Sequence, residues 1–97
     1  MRMSAAHAEE RRTVYYSGHV QGVGFRYTAR SVAARYAIGG YVRNLSDGRV
    51  ELVAEGGPRE VAAFLQQIRD QLGDHIRNEQ CDSQAASGEF TGFEIRH

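Results

Sequence analysis

The chain has 97 residues, 41% of them hydrophobic and 25% charged, and its twelve basic residues balance twelve acidic ones. This length supports one domain rather than two, and the composition excludes a disordered, collagenous or coiled-coil chain. A formal net charge of zero argues against a general nucleic-acid binder, and no stretch approaches the ~20 apolar residues of a membrane span.

The first ten residues lack an apolar run and include Glu9 and Glu10, so they do not read as a secretory signal. Residues 1–11 are expected to form a flexible tail and residues 12–97 the domain, in the cytoplasm. From Thr13 the sequence alternates: Val14, Tyr16, Gly18 and Val20 share one side, and Thr13, Tyr15, Ser17 and His19 the other. β-Branched and aromatic residues at period two predict a strand. A helix is predicted from Phe25 to Ala37, with Ala29, Val32, Ala33 and Tyr36 as its apolar stripe, ended by Gly39-Gly40.

A second strand is expected over Tyr41 to Leu45 and a third over Arg49 to Glu55. The Ser46-Asp47-Gly48 turn between them predicts an antiparallel hairpin. Val50, Leu52 and Ala54 alternate with Arg49, Glu51, Val53 and Glu55, which predicts a sheet with one face on the core. Pro58 suits the first position of a second helix. Val61, Phe64, Leu65, Ile68 and Leu72 carry that helix to a Gly73 stop.

Beyond it, His75 to Ser83 reads as a weakly alternating strand and Phe90 to Arg96 as a short terminal one. Cys81 is the single cysteine, so no internal disulfide is available. The order β-α-β-β-α-β predicts an α+β, ferredoxin-like sandwich. Two helices would cover one face of an antiparallel sheet whose first and third strands are central.

The segment Gly18-His19-Val20-Gln21-Gly22-Val23-Gly24-Phe25-Arg26 runs from the first strand into the first turn of the first helix. Glycines let backbone N–H groups converge on an anion, and a helix N-terminus adds unpaired donors and partial positive charge. Arg26 opposes the helix dipole, which points to a bound anion or a carboxylate partner. All twelve basic residues are arginine, and a guanidinium stays charged and grips two oxygens of a phosphate or carboxylate. On local grounds a tight turn without a ligand remains an alternative. The segment is not a Walker A loop, and it lacks the third glycine of a dinucleotide fingerprint.

The same segment resembles the acylphosphatase signature G-x-V-Q-G-V-x-F-R. Gly40-Tyr41-Val42-Arg43-Asn44, followed by Gly48-Arg49-Val50 and Gly56, resembles the second signature of that family. The likeness covers Arg12 to Gly73, and Phe93-Glu94-Ile95 resembles the closing strand. Tyr16 stands where the family usually has an aliphatic residue, and His75–Ser87 matches poorly.

This resemblance implies hydrolysis of acyl phosphates to a carboxylate and inorganic phosphate. Gln21, Gly22, Val23, Gly24, Phe25 and Arg26 would hold the phosphoryl group. Arg26 and Asn44 would be the catalytic side chains, with Asn44 positioning water. Gln21 is expected to brace the loop through its amide, Arg43 to face away from Asn44, and His19 to face solvent.

No metal site is expected, because His7, His19, His75 and His97 lack ligand spacing. No cofactor, nucleic-acid or membrane partner is expected, and the chain should act as a monomer on small acyl phosphates. A non-catalytic acyl-phosphate-binding module is one alternative. An RNA-binding domain, which shares the element order, is another; Glu51 and Glu55 beside Tyr15 count against it.

Overall fold

The structure, a computed structural model, describes residues 8–97. The element order is β1 (Glu10–Gly18), α1 (Phe25–Ala33), β2 (Ile38–Asn44), β3 (Val50–Gly56), α2 (Pro58–Leu72), a short 3-10 turn (Gly73–His75), β4 (Ile76–Ala85) and β5 (Phe93–Arg96). The sheet order is β4-β1-β3-β2-β5, with β1 and β3 inside the four-stranded set as expected. β1–β3, β1–β4 and β2–β3 are antiparallel, whereas β5 runs parallel to β2. The sheet is therefore mixed, not purely antiparallel, because the segment after β4 crosses the sheet to the far edge.

The core lies between one sheet face and both helices. Val14, Tyr16, Val42, Val50, Leu52 and Ala54 meet Phe25, Ala29 and Val32 of α1 and Val61, Phe64, Leu65 and Ile68 of α2. Each large apolar side chain buried there stabilises the fold by roughly 1.5–3 kcal/mol. Tyr16 is 1% exposed, and its ring packs on Phe25 at 5.1 Å between centroids. It thus ties the first strand to the first residue of α1, and burial pushes its phenol well above the usual range.

Several boundaries differ from the sequence reading. β1 already begins at Glu10, where Glu10 pairs with Gly56 of β3 and Ala85 of β4. Of the expected tail, residues 1–7 lie outside the described residues, and residues 10 and 11 belong to the sheet. α1 stops at Ala33. Arg35 N–H turns to Val32 O and Tyr36 N–H to Ala33 O, while Glu60 of α2 accepts the Ala37 N–H at 2.8 Å. Tyr36 still packs on the core, but from a turn.

Gly39-Gly40 does not end a helix; it lies inside β2. A Cβ on Gly40 would sit 1.8 Å from the Val53 carbonyl oxygen, so glycine is needed there for β2 and β3 to pair. Gly73 adopts right-handed angles and leads into the 3-10 turn instead of reversing the chain. β4 runs to Ala85 as an edge strand with little burial on either face, which explains its weak alternation. β5 begins only at Phe93.

Phe90 instead helps cover the second sheet face, packing on Tyr41 at 5.9 Å. That face is not open as expected, since every residue of β3 is buried. Glu51, 7% exposed, accepts bonds from Tyr15 Oη (3.0 Å), Tyr41 Oη (3.1 Å) and Arg43 Nε (2.6 Å). The Arg49 guanidinium lies 4.9 Å from the Tyr15 ring centre and that of Arg96 4.2 Å from Tyr41.

Burial alone would raise the Glu51 carboxyl. The guanidinium and the two phenols outweigh it and hold Glu51 below the ordinary glutamate range. Its contribution to stability is therefore complete above the ordinary value of 4.5 and is lost as pH falls through the lowered folded value. Arg43 is half exposed and screened by water, so the expected effect stays at hydrogen-bond scale. Glu51→Gln should cost about 1–3 kcal/mol near neutral pH and much less in acid. Urea unfolding at both pH values checks this; an equal loss at each would exclude the charge as its source.

Candidate active site

β1 ends at Gly18, and the next residue, His19, donates its backbone N–H to His75 O at 2.9 Å. The chain then turns through residues 20–24 into α1. Gly22 and Gly24 take φ of 80° and 78°. A Cβ on either would touch nothing within 4 Å, so glycine is required there for backbone angle, not for space. Gly24 is the N-cap residue of α1, with no side-chain cap and no acidic residue in the first turn. Thr28 N–H is the donor to Gly24 O, which leaves the amides of Phe25, Arg26 and Tyr27 without intrahelical acceptors.

The loop is braced from the side. Gln21 Nε2 donates to Leu45 O at 2.8 Å and to Arg49 O at 2.9 Å. Those carbonyls belong to the β2–β3 turn, closed by Leu45 N–H to Arg49 O at 2.8 Å. Asp47 accepts the Arg49 backbone N–H and Nε. The backbone bond first and the guanidinium second hold the Asp47 carboxyl below its usual range. The turn that follows Asn44 thus also anchors the loop that precedes Arg26.

A cavity of about 240 Å3 opens between these segments, lined by Val20, Gly22, Gly24, Phe25, Arg26, Tyr27 and Asn44. The side chains of Val20 and Phe25 are 0% and 2% exposed, so they pin the loop from the core. Arg26 is half-buried, and its Nη1 meets His97 Nδ1 at 3.3 Å. Among the described residues no carboxylate pairs with Arg26. Asn44, the last residue of β2, is also half-buried.

Arg26 and Asn44, 18 positions apart in sequence, therefore line one cavity with the glycine backbone between them. Gln21 and Val23 do not line it: Gln21 serves the brace, and Val23 packs on the core. Arg43 points to the opposite face, onto Glu51. His19 is exposed and lines a separate cavity with Gly18 and Arg77.

Two lining or touching residues lay outside the sequence reading. Tyr27 directly follows the first motif, and its place off the apolar stripe of α1 was the signal for it. His97 reaches Arg26 across 71 positions, a contact no local pattern encodes.

A model of the Acylphosphatase family matches residues 12–95. The chain belongs to the acylphosphatase family. It is 43% identical to an acylphosphatase of Rubrobacter xylanophilus over 97% of this chain and 86% of that protein. The crystal structure of an acylphosphatase from Bacillus subtilis superposes with a TM-score of 0.82 at 26% identity, covering 91% of this chain and 99% of that one. An acylphosphatase structure from Coxiella burnetii gives 0.78 at 29% identity, covering 92% and 94%. These two acylphosphatase structures share the arrangement of two helices on a ferredoxin-like sheet, and the likeness spans nearly the whole chain.

Proposed function

We propose that this protein hydrolyses acyl phosphates, R–CO–O–PO3(2−), with the phosphoryl group held by the Gln21–Arg26 loop and water oriented by Asn44. The observation that carries the reading is the convergence of Arg26, Asn44 and the uncapped start of α1 on one cavity. The free amides and the guanidinium suit a dianion, whose negative charge the helix start favours.

In the reaction the water oxygen forms a bond to phosphorus as the bond from phosphorus to the acyl oxygen breaks. The electron pair leaves with the carboxylate, and the proton of the water passes to a phosphoryl oxygen or to solvent. Charge on the phosphoryl oxygens is met by Arg26 and the loop amides, so catalysis is mainly positioning and electrostatics. Asn44 offers a carbonyl acceptor and two N–H donors on one plane, which suits holding a water.

The leaving carboxylic acid has a pKa of roughly 4, so no general acid is required. The loose transition state demands little activation of the nucleophile, so no general base is required either. In this reading the enzyme acts as a cytoplasmic monomer without metal or cofactor. Benzoyl phosphate should be hydrolysed equally well with and without a chelator. A protein inactive on it, or one silenced by chelator and rescued by a divalent cation, would refute the proposal.

A further inference from the structure

We infer that Tyr27 is the platform on which the acyl group of the substrate rests, and that it biases the enzyme toward aromatic and broad apolar acyl phosphates. The inference rests on the acyl-phosphate reading above and adds the substrate class to it. Gly22 and Gly24 contribute only backbone. Val20 and Phe25 turn their side chains into the core. Arg26 and Asn44 are polar and are committed to the phosphoryl group and the water. Tyr27 is what remains: among the lining residues it alone is a large hydrophobic one left exposed.

Tyr27 is 63% exposed and is the single large hydrophobic residue so exposed among the described residues. An isolated surface tyrosine would need no explanation. This one borders the cavity that holds Arg26 and Asn44, which sets it apart. Its position off the apolar stripe of α1, formed by Phe25, Ala29, Val32 and Ala33, leaves it free of the core. Arg30, one turn further along α1, places its guanidinium carbon 5.5 Å from the Tyr27 ring centre. That contact steadies the ring from one side.

Consecutive Cα atoms are about 3.8 Å apart, so the ring springs from the residue next to the phosphate-gripping Arg26. In an acyl phosphate the carbonyl carbon is two bonds from phosphorus. In this proposal a benzoyl ring lies against Tyr27 while its phosphoryl group sits in the loop, whereas an acetyl methyl is too small to cover the ring. Aromatic pairs of this kind contribute about 0.5–1.5 kcal/mol beyond area burial, which converts to roughly a 2- to 12-fold effect.

The test compares KM and kcat for benzoyl phosphate and acetyl phosphate in the wild type, Tyr27→Ala and Tyr27→Phe. Tyr27→Ala should raise KM for benzoyl phosphate roughly 2- to 12-fold more than KM for acetyl phosphate, and Tyr27→Phe should restore the preference. A benzoyl-to-acetyl ratio unchanged in Tyr27→Ala would overturn the platform while leaving the hydrolase reading intact. So would a Phe variant that behaves like Ala, since the hydroxyl rather than the ring would then be at work. A wild type idle on both substrates would instead refute the hydrolase reading itself.

Discussion

Arg26→Ala is expected to lower kcat/KM for benzoyl phosphate by about a thousandfold or more, roughly 4 kcal/mol of transition-state stabilisation. The reason is electrostatic. The guanidinium stands in a half-buried position at a helix start, with no carboxylate among the described residues to neutralise it. Its charge is thus available to the phosphoryl oxygens. Arg26→Lys should recover only part of the loss, because an ammonium keeps the charge but not the fork that grips two oxygens.

Competitive inhibition by inorganic phosphate should weaken in parallel for Arg26→Ala. The fold should survive, since the residue is outside the buried core and its side-chain hydrogen bond among the described residues is the 3.3 Å approach to His97. Near-normal turnover by Arg26→Ala would remove this residue from the mechanism.

Asn44→Ala should separate rate from binding. We expect kcat to fall by about a hundredfold, a cost on the scale of losing one well-aimed polar group at a reacting centre. Inhibition by phosphate should change little, because the loop amides and Arg26 still hold the anion. Asn44 ends β2 opposite Val50, and the neighbouring turn is anchored by Leu45, Arg49 and Asp47 independently of its side chain. The substitution should therefore leave the loop in place. A collapse of phosphate affinity, with the turnover of bound substrate unchanged, would move Asn44 from orienting water to binding the anion.

Much of the fold was legible because its signals are local. Alternation through Val14 and Tyr16, the Ser46-Asp47-Gly48 turn and the stripe from Val61 to Leu72 each report burial on one face of one element. Legibility failed where neighbours across the fold decide the outcome. Gly39-Gly40 reads as a helix stop, yet Gly40 is glycine because the Val53 carbonyl lies where its side chain would be. Glu51 reads as a solvent-facing strand residue, yet Tyr15, Tyr41 and Arg43 bury it. For the candidate site, the motif named Arg26 and Asn44, and Gln21 as a brace. It carried no information on Tyr27 as a wall of the cavity or on His97 beside Arg26.

What the amino-acid order determined alone was the set of elements, the angles that Gly22 and Gly24 permit, and a cation at the start of a helix. Those are properties of a residue and its near neighbours. Only the tertiary structure decided that β5 lies parallel to β2, that the second sheet face is closed, and that the residue ending β2 shares a cavity with the residue opening α1. Such pairings depend on contacts between distant segments, formed only when the two helices and the sheet bury their apolar faces together.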